Sequence, residues 1–425
     1  MRLFSDAVFI AAARTLTLVL AGVVSVLTAR TLGPAGRGAY SLPSIDSGLA
    51  ATFMFGLSSA VSYFMLNRRA GKGLLRPALL GVALAVLAGG IVTFAIASSN
   101  RHLFAVLPAL LYLPAYGVLS LVSGYFVGRD RIRYWSIVNV STWATTLVFM
   151  LVGFAVLGRT PAVAIGAWIS GTCVVAIAGA IAVIRSSRTL DGEAPPAAEF
   201  LFFAAKAGAL NVMALLNYRI DVYIVAMLAP ISTLGMYVVA VAGAESALAI
   251  TCTGSMVTAP RIGSLGKSDA ADFTARCSRN SLFVALVTCG LASLVLPWAV
   301  LLLFGHAYGA IVNPLRVLLG GVVALSLGGA ISNYFMLNLG RAYVPITTSG
   351  LSAVVCALIS FALVPRLGML GAAIGTTTAY IVGQAAATVW FCRATGMRPH
   401  RLLLLDRADI AFYRALFARF RTRHA

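Results

Sequence analysis

The chain has 425 residues, of which 60% are hydrophobic and only 10% charged, and its mean hydropathy is +0.95. A soluble protein of this size needs about a quarter of its residues charged to cover its surface, so a soluble globular domain is excluded. The net charge of +20 does not indicate nucleic acid, whose binding asks for a basic face with stacking aromatics on a soluble fold; the cations instead mark loops on one side of a bilayer and meet anionic phospholipid head groups.

Apolar runs that reach the roughly 20 helical residues of a bilayer crossing predict spans at 7–29, 39–66, 78–98, 103–127, 134–158 and 161–184, then at 201–228, 233–259, 281–304, 311–338, 344–364 and 369–392. The expected fold class is an all-α integral membrane protein of about 12 transmembrane helices. The first stretch is too long for a cleavable signal and no small-x-small site follows it. The second and tenth segments are overlong, as when an amphipathic end lies along the interface.

Orientation follows from the Lys/Arg content of the short connections. One side holds Arg2; Arg68, Arg69, Lys72 and Arg76; Arg129, Arg131 and Arg133; Arg185 and Arg188; Arg261, Lys267, Arg276 and Arg279; Arg341; and eight arginines after Phe391. The other side holds only Arg30, Arg37, Arg101, Arg159 and Arg366. Both termini are therefore expected in the cytoplasm.

The stretch Ser186–Glu199 (SSRTLDGEAPPAAE) is the most linker-like. It divides the chain into an N-terminal six-helix lobe (1–185), a cytoplasmic linker (186–199), a C-terminal six-helix lobe (200–392) and a basic cytoplasmic tail (393–425). Leu32-Gly33-Pro34 followed by Gly38-Ala39-Tyr40 matches Leu228-Ala229-Pro230 followed by Gly235-Met236-Tyr237, and each motif joins the first two helices of its half. Six is even, so the halves would be parallel repeats about an axis along the membrane normal, with a site at their interface. In the tail, Leu403, Ile410, Tyr413, Phe417 and Phe420 share one helical side with arginines at its edges; a basic tail lying on the cytoplasmic leaflet is expected.

Seven ionisable residues fall within spans: Arg14, Asp46, Lys206, Arg219, Asp221, Glu245 and Arg316. Such groups are costly in lipid and normally face a bundle interior or a wet cavity. Arg14, Thr17, Ala21, Ser25 and Thr28 share one stripe of the first span. Glu245, Ala249, Cys252 and Ala259 form a less polar stripe interrupted by Met256. In the seventh span Lys206, Asn217 and Asp221 share a face, while Arg219 lies nearly opposite Asp221, so those two cannot pair within a regular helix. Arg316, about five residues inside its span, could instead snorkel to the outer interface. For any one of these residues, buried ion pairing or polar packing is an equal alternative. Taken together, a cavity with both signs suits an anionic substrate exchanged against a proton or sodium ion, since guanidinium groups hold phosphate bidentately and a desolvated carboxylate can carry a proton. The substrate-binding candidates are Arg14, Lys206, Arg219 and Asn217; the ion-coupling candidates are Asp221, Glu245 and Asp46.

The scattered cysteines and histidines form no CxxC pair and no metal-ligand spacing, so no metal and no cofactor are expected. Gly266-Lys267-Ser268 imitates the end of a phosphate-binding loop, but its first glycine would fall on Arg261. Asn139-Val140-Ser141 is a glycosylation sequon inside a span. Outward connections of about ten residues or fewer leave no room for a catalytic domain outside the membrane, which argues against a membrane enzyme.

The motif LGPAGRGAY after the first helix resembles the polysaccharide-transporter (oligosaccharide flippase) branch of the multidrug/oligosaccharidyl-lipid/polysaccharide exporter superfamily. So do Arg219-Ile220-Asp221, Leu303-Phe304-Gly305 and Leu370-Gly371-Ala372-Ala373; the resemblance runs from about residue 3 to 392. It implies a secondary-active flippase of the bacterial inner membrane. Such a protein passes a polyprenyl-pyrophosphate-linked oligosaccharide between leaflets by rocking two lobes about a cationic cavity. On that reading Arg14 and Lys206 hold pyrophosphate while Asp221 or Glu245 carries the coupling ion. A drug/cation antiporter of the same fold would favour a cavity dominated by acids, and a lipid II flippase normally adds two helices. The orientation has a direct check: alkaline phosphatase fused after Asp130 should be inactive and after Arg159 active, and the reverse pattern would overturn the topology.

Overall fold

The computed structural model describes residues 2–68, 72–99, 106–187 and 195–406 and residues 409, 411 and 414 of the tail. Most of the expected linker (188–194), the cations Arg69, Arg101 and Arg188, and the tail residues Ile410, Tyr413, Phe417 and Phe420 lie outside the described residues, as do the side chains of Cys252 and Met256. Among the described residues the architecture is helical without strands: α1 (Arg2–Arg68), α2 (Leu75–Ser99), α3 (Val106–Gly128), α4 (Ile132–Val156), α5 (Pro161–Ser187), α6 (Ala197–Leu228), α7 (Ile231–Ser264), α8 (Lys267–Phe304), α9 (Val312–Leu325), α10 (Gly328–Asn333), α11 (Tyr343–Leu367), α12 (Met369–Thr395) and the short α13 (His400–Leu403).

At 67 residues, α1 would be about 100 Å long if straight, some three times the hydrocarbon thickness. It breaks at Gly33, whose φ of 67° and ψ of −179° suit glycine, and Pro34 opens the second arm with its φ already set for a helix. The two arms are the first two expected spans. Among the described residues, ten helices are long and apolar enough to cross a membrane, α1 among them. Counting its arms separately and adding α12 gives the expected dozen. At 27 residues, α12 is about 40 Å long, ample for a crossing; its glycine, alanine and threonine content makes it less apolar than the rest. The overlong tenth segment is interrupted: a 3₁₀ turn (His306–Ile311), α9, a break at Ser326–Leu327, α10, and a π turn (Tyr334–Asn338).

The chain forms two compact units, Met1–Val238 and Val239–Ala425. The first is built on α1, against which α3 and α6 pack; Met54, Leu57, Phe64, Leu113, Phe126 and Phe200 form its core. Close backbone approach holds these helices, since lipid gives apolar side chains no reason to prefer each other: Gly56 meets Ala204 and Gly208 of α6, and Gly124 of α3 meets Ser58. Because α6 lies along α1, the units divide inside α7 rather than at residues 186–199. Packing defines these units, whereas transport lobes are defined by motion.

In the second unit Gly371, Gly375 and Gly383 place one face of α12 against Leu363, Ser360 and Ser352 of α11, and Ser352 donates to the Ala379 carbonyl at 3.0 Å. The amide of Asn338, in the π turn, donates to the carbonyls of Ile262 (3.0 Å) and Leu265 (2.8 Å), satisfying the end of α7. The described part of the tail docks rather than floats: Asp409, 1% exposed, accepts from Arg279 Nε and, at 3.2 Å, from Asn280 Nδ2 on α8. Burial pushes the Asp409 carboxyl up, but these bonds and the Asp406 N–H outweigh it and hold it below the usual carboxylate range.

A Cβ on Gly375 would collide with Ser360 Oγ and crowd the Cys356 carbonyl, whereas one on Gly350 meets nothing within 4 Å. Gly375→Leu should cost about 1–3 kcal/mol of overpacking and lower the melting temperature in detergent; Gly350→Leu should leave it unchanged.

Candidate functional site

The first unit carries most of the expected charges. Arg14 is exposed on the first arm of α1; Asp46, on the second arm, is 0% exposed. On α6, Lys206 is exposed with its ammonium 4.1 Å from the centre of the Phe202 ring. Asn217 and Arg219 are half-buried, and Asn217 Oδ1 is enclosed without a hydrogen-bond partner. In the second unit Glu245 is half-buried on α7, and Arg316 is exposed on α9 with Nε 3.4 Å from the Ser293 carbonyl.

Two groupings stand out. The first joins the second arm of α1 to α6. The Tyr223 hydroxyl sits over Gly48, where a Cβ would come within 2.8 Å of it. It hydrogen-bonds the Leu49 backbone and lies within electrostatic reach of both Asp46 and Arg219. Residues 46 and 219, far apart in sequence and opposite in sign, thus share one tyrosine. The second grouping joins α6 to α7. Asp221, 2% exposed, accepts 2.5 Å from the Tyr237 hydroxyl and 2.8 Å from the Val222 N–H, and Tyr237 is itself fully buried. Asp221 therefore faces α7, and Arg219 lies on the opposite side of α6, as their helical phases require.

The short sequence repeat also becomes a contact. Gly235 packs on the Pro34 carbonyl and on Gly38, while Gly38 packs on Ile231. The two motifs thus pack against each other around Gly38 and Gly235. Their backbones are not copies: position 33 needs glycine at positive φ, whereas Ala229 is extended (φ −112°, ψ 158°).

Sequence reading misplaced one residue. Arg37 was expected in an outer connection, but it lies within the second arm of α1 and is 7% exposed. It turns back across the Gly33 bend, donating through Nη1 to Thr28 Oγ1 at 2.8 Å and through Nη2 towards Ser25 Oγ at 3.4 Å, with its guanidinium 5.1 Å from the centre of the Tyr40 ring. The bend brings the two arms together, and a residue count along the chain does not show that. The available signal was the hydroxyl pair Ser25 and Thr28 at the far end of the Arg14 stripe. An aromatic cluster was missed as well: Tyr112 stacks on Trp168 with ring centres 4.1 Å apart and lies 5.4 Å from Tyr116.

Removing the Tyr237 hydroxyl weakens the hold on a buried carboxylate, a loss of about 1–3 kcal/mol. Tyr237→Phe should lower the melting temperature in detergent, and adding Asp221→Asn should recover part of the loss; strict additivity of the two would contradict a direct pairing.

No family model and no curated protein matches the sequence, but solved structures do match the fold. The lipid II flippase MurJ in an inward closed conformation superposes with a TM-score of 0.72 at 11% identity, over 92% of this chain and 88% of that one. A multidrug resistance MATE family transporter of the MOP superfamily, inward-facing, gives 0.68 at 16% identity, over 89% and 94%. A MOP superfamily transporter from Pyrococcus furiosus, described as having a binding pocket of reversed polarity, gives 0.64 at 17% identity, over 92% and 95%. The chain has the fold of the MOP superfamily of membrane transporters.

Proposed function

We propose that this protein is a secondary-active flippase, not an enzyme, that moves a polyprenyl-pyrophosphate-linked oligosaccharide across the bacterial inner membrane by alternating access, for surface polysaccharide synthesis. The observation that carries the reading is a set of intramembrane charges of both signs on a MOP transporter fold, with Asp46 and Arg219 both within electrostatic reach of Tyr223. Charge of both signs suits an anionic lipid-linked substrate exchanged against a proton or sodium ion. A cavity built for cationic drugs would be dominated by acids, so the antiporter reading ranks second. The reading as a lipid II flippase shares the fold likeness to MurJ but asks for two helices beyond the dozen.

On this proposal the lobes are residues 1–185 and 200–392, both termini face the cytoplasm, and the chain crosses the membrane as parallel repeats. The packing of Gly235 on Gly38 supports that symmetry, and on the charge distribution this contact lies at the extracytoplasmic end. Arg14 and Lys206 take the pyrophosphate, with Arg219 and Asn217 beside it. Tyr237 gives Asp221 a structural duty, which favours Glu245 and Asp46 as carriers of the coupling ion.

The test is complementation of a polymer-deficient strain. Arg14→Ala and Lys206→Ala should each abolish polymer formation with protein levels unchanged, and full complementation by both would sink the assignment.

A further inference from the structure

We infer that Arg276, Arg279 and Asn280 of α8 form a binding site for the phosphate of an anionic phospholipid, and that Asp409 of the tail fills this site as a displaceable internal anion. The inference goes beyond the flippase reading and does not depend on it.

The donors are assembled by one helix. Positions 276, 279 and 280 share a face of α8 at i, i+3 and i+4 spacing, and all three side chains converge on one carboxylate. Arg279 Nε donates to Asp409 Oδ2, while Arg276 Nε lies 3.3 Å and Asn280 Nδ2 3.2 Å from Oδ1. The tail itself adds the Asp406 N–H, 3.2 Å from Oδ2. Two guanidinium groups one turn apart on a helix repel each other unless an anion lies between them. The site therefore calls for an anion whether or not the tail supplies it.

Depth indicates which anion. At 38 residues, α8 is about 57 Å long, nearly twice the hydrocarbon thickness. Its apolar run begins at residue 281, so Arg279 and Arg276 lie about 3 and 8 Å along the helix before the hydrocarbon edge. That is the level of the lipid head groups, where basic pockets take lipid phosphates. Arg279 is 12% exposed and Arg276 53%, which leaves one side of the site open to a head group.

The tail is held at two points of different chemistry. Leu402, fully buried, belongs to an apolar cluster with Ala271, Ala275 and Phe391, and a head group offers it no better partner. Asp409 is held by charge, for which a lipid phosphate competes directly. The rest of the tail favours the exchange: beyond Phe391 the chain carries eight arginines against two acids, Asp406 and Asp409. Each arginine near an anionic leaflet gains from its surface potential. An anionic leaflet thus draws the tail's arginines towards itself and sets a phosphate where Asp409 was, so the end of the tail senses the charge of the leaflet.

The experiment photolabels the purified full-length protein in nanodiscs with phosphatidylglycerol that carries a diazirine near its phosphate, and maps the label by peptide. Wild type should take label within residues 272–284. Asp409→Asn, which removes the charge of the tethered competitor, should raise that label at least about threefold. Replacing both arginines, Arg276→Gln with Arg279→Gln, should lower it at least about tenfold among the folded molecules. Phosphatidylcholine carrying the same group should label the stretch less than phosphatidylglycerol does. Equal labelling by the two lipids, or label that either variant leaves unchanged, overturns the inference. Should the double variant fail to fold, Asp409→Asn against wild type decides, and label that does not rise overturns the site. None of these outcomes bears on the flippase reading. Both leaflets of the nanodisc carry the same lipid, so none depends on orientation.

Discussion

Helices in hydrocarbon gain little from burying leucine against leucine, because lipid tails are already apolar. What holds them is close approach of backbones, and this protein supplies it at positions where a side chain would not fit: Gly38 against Ile231, Gly56 against Ala204 and Gly208, Gly124 against Ser58, and Gly375 against Ser360. The α1–α6 pairing that places the Tyr223 hydroxyl over Gly48, and the motif contact that brings α7 up to α1, both depend on it. The same constraint explains why α12, whose small residues let α11 approach, is the least apolar of the crossings.

Once the helices lie that close, charge can be accommodated between them. Among the described residues, two buried ionisable groups of the first unit are met by hydroxyls from another stretch of chain: Arg37 by Thr28 and Ser25, with the Tyr40 ring beside it, and Asp221 by Tyr237. Tyrosine suits this duty because its ring packs as a hydrophobe while its hydroxyl reaches a partner. The two motif tyrosines, equivalent in the repeat, have taken opposite clients: Tyr40 lies beside a guanidinium and Tyr237 donates to a carboxylate.

The crossing segments were legible from sequence because transfer into lipid depends on local composition. The break after the first span was visible as Gly33-Pro34; the overlong tenth segment, read as carrying an amphipathic end, is instead interrupted at Ser326–Leu327. The opposite phases of Arg219 and Asp221 followed from helical geometry alone. Arg37 was misread for an equally physical reason: counting cations in connections assumes that a residue near a span's end faces water, and a chain that doubles back at a glycine can bury it against its own preceding arm. The docking of Asp409 on Arg279 and Asn280 was hidden in the same way, since a basic tail read as a string shows no acceptor surface.

The amino-acid sequence by itself determined that this is a membrane protein of about a dozen helices, and which of them carry charge, because each of these depends on free energies local to a segment. Which charge meets which partner was decided only by tertiary structure. Tyr223 and Gly48, Asp221 and Tyr237, and Arg37 and Thr28 are brought together by backbones approaching closely across distant segments or a sharp bend. A helix's own periodicity names the face a residue occupies, but not the neighbour that the face will meet.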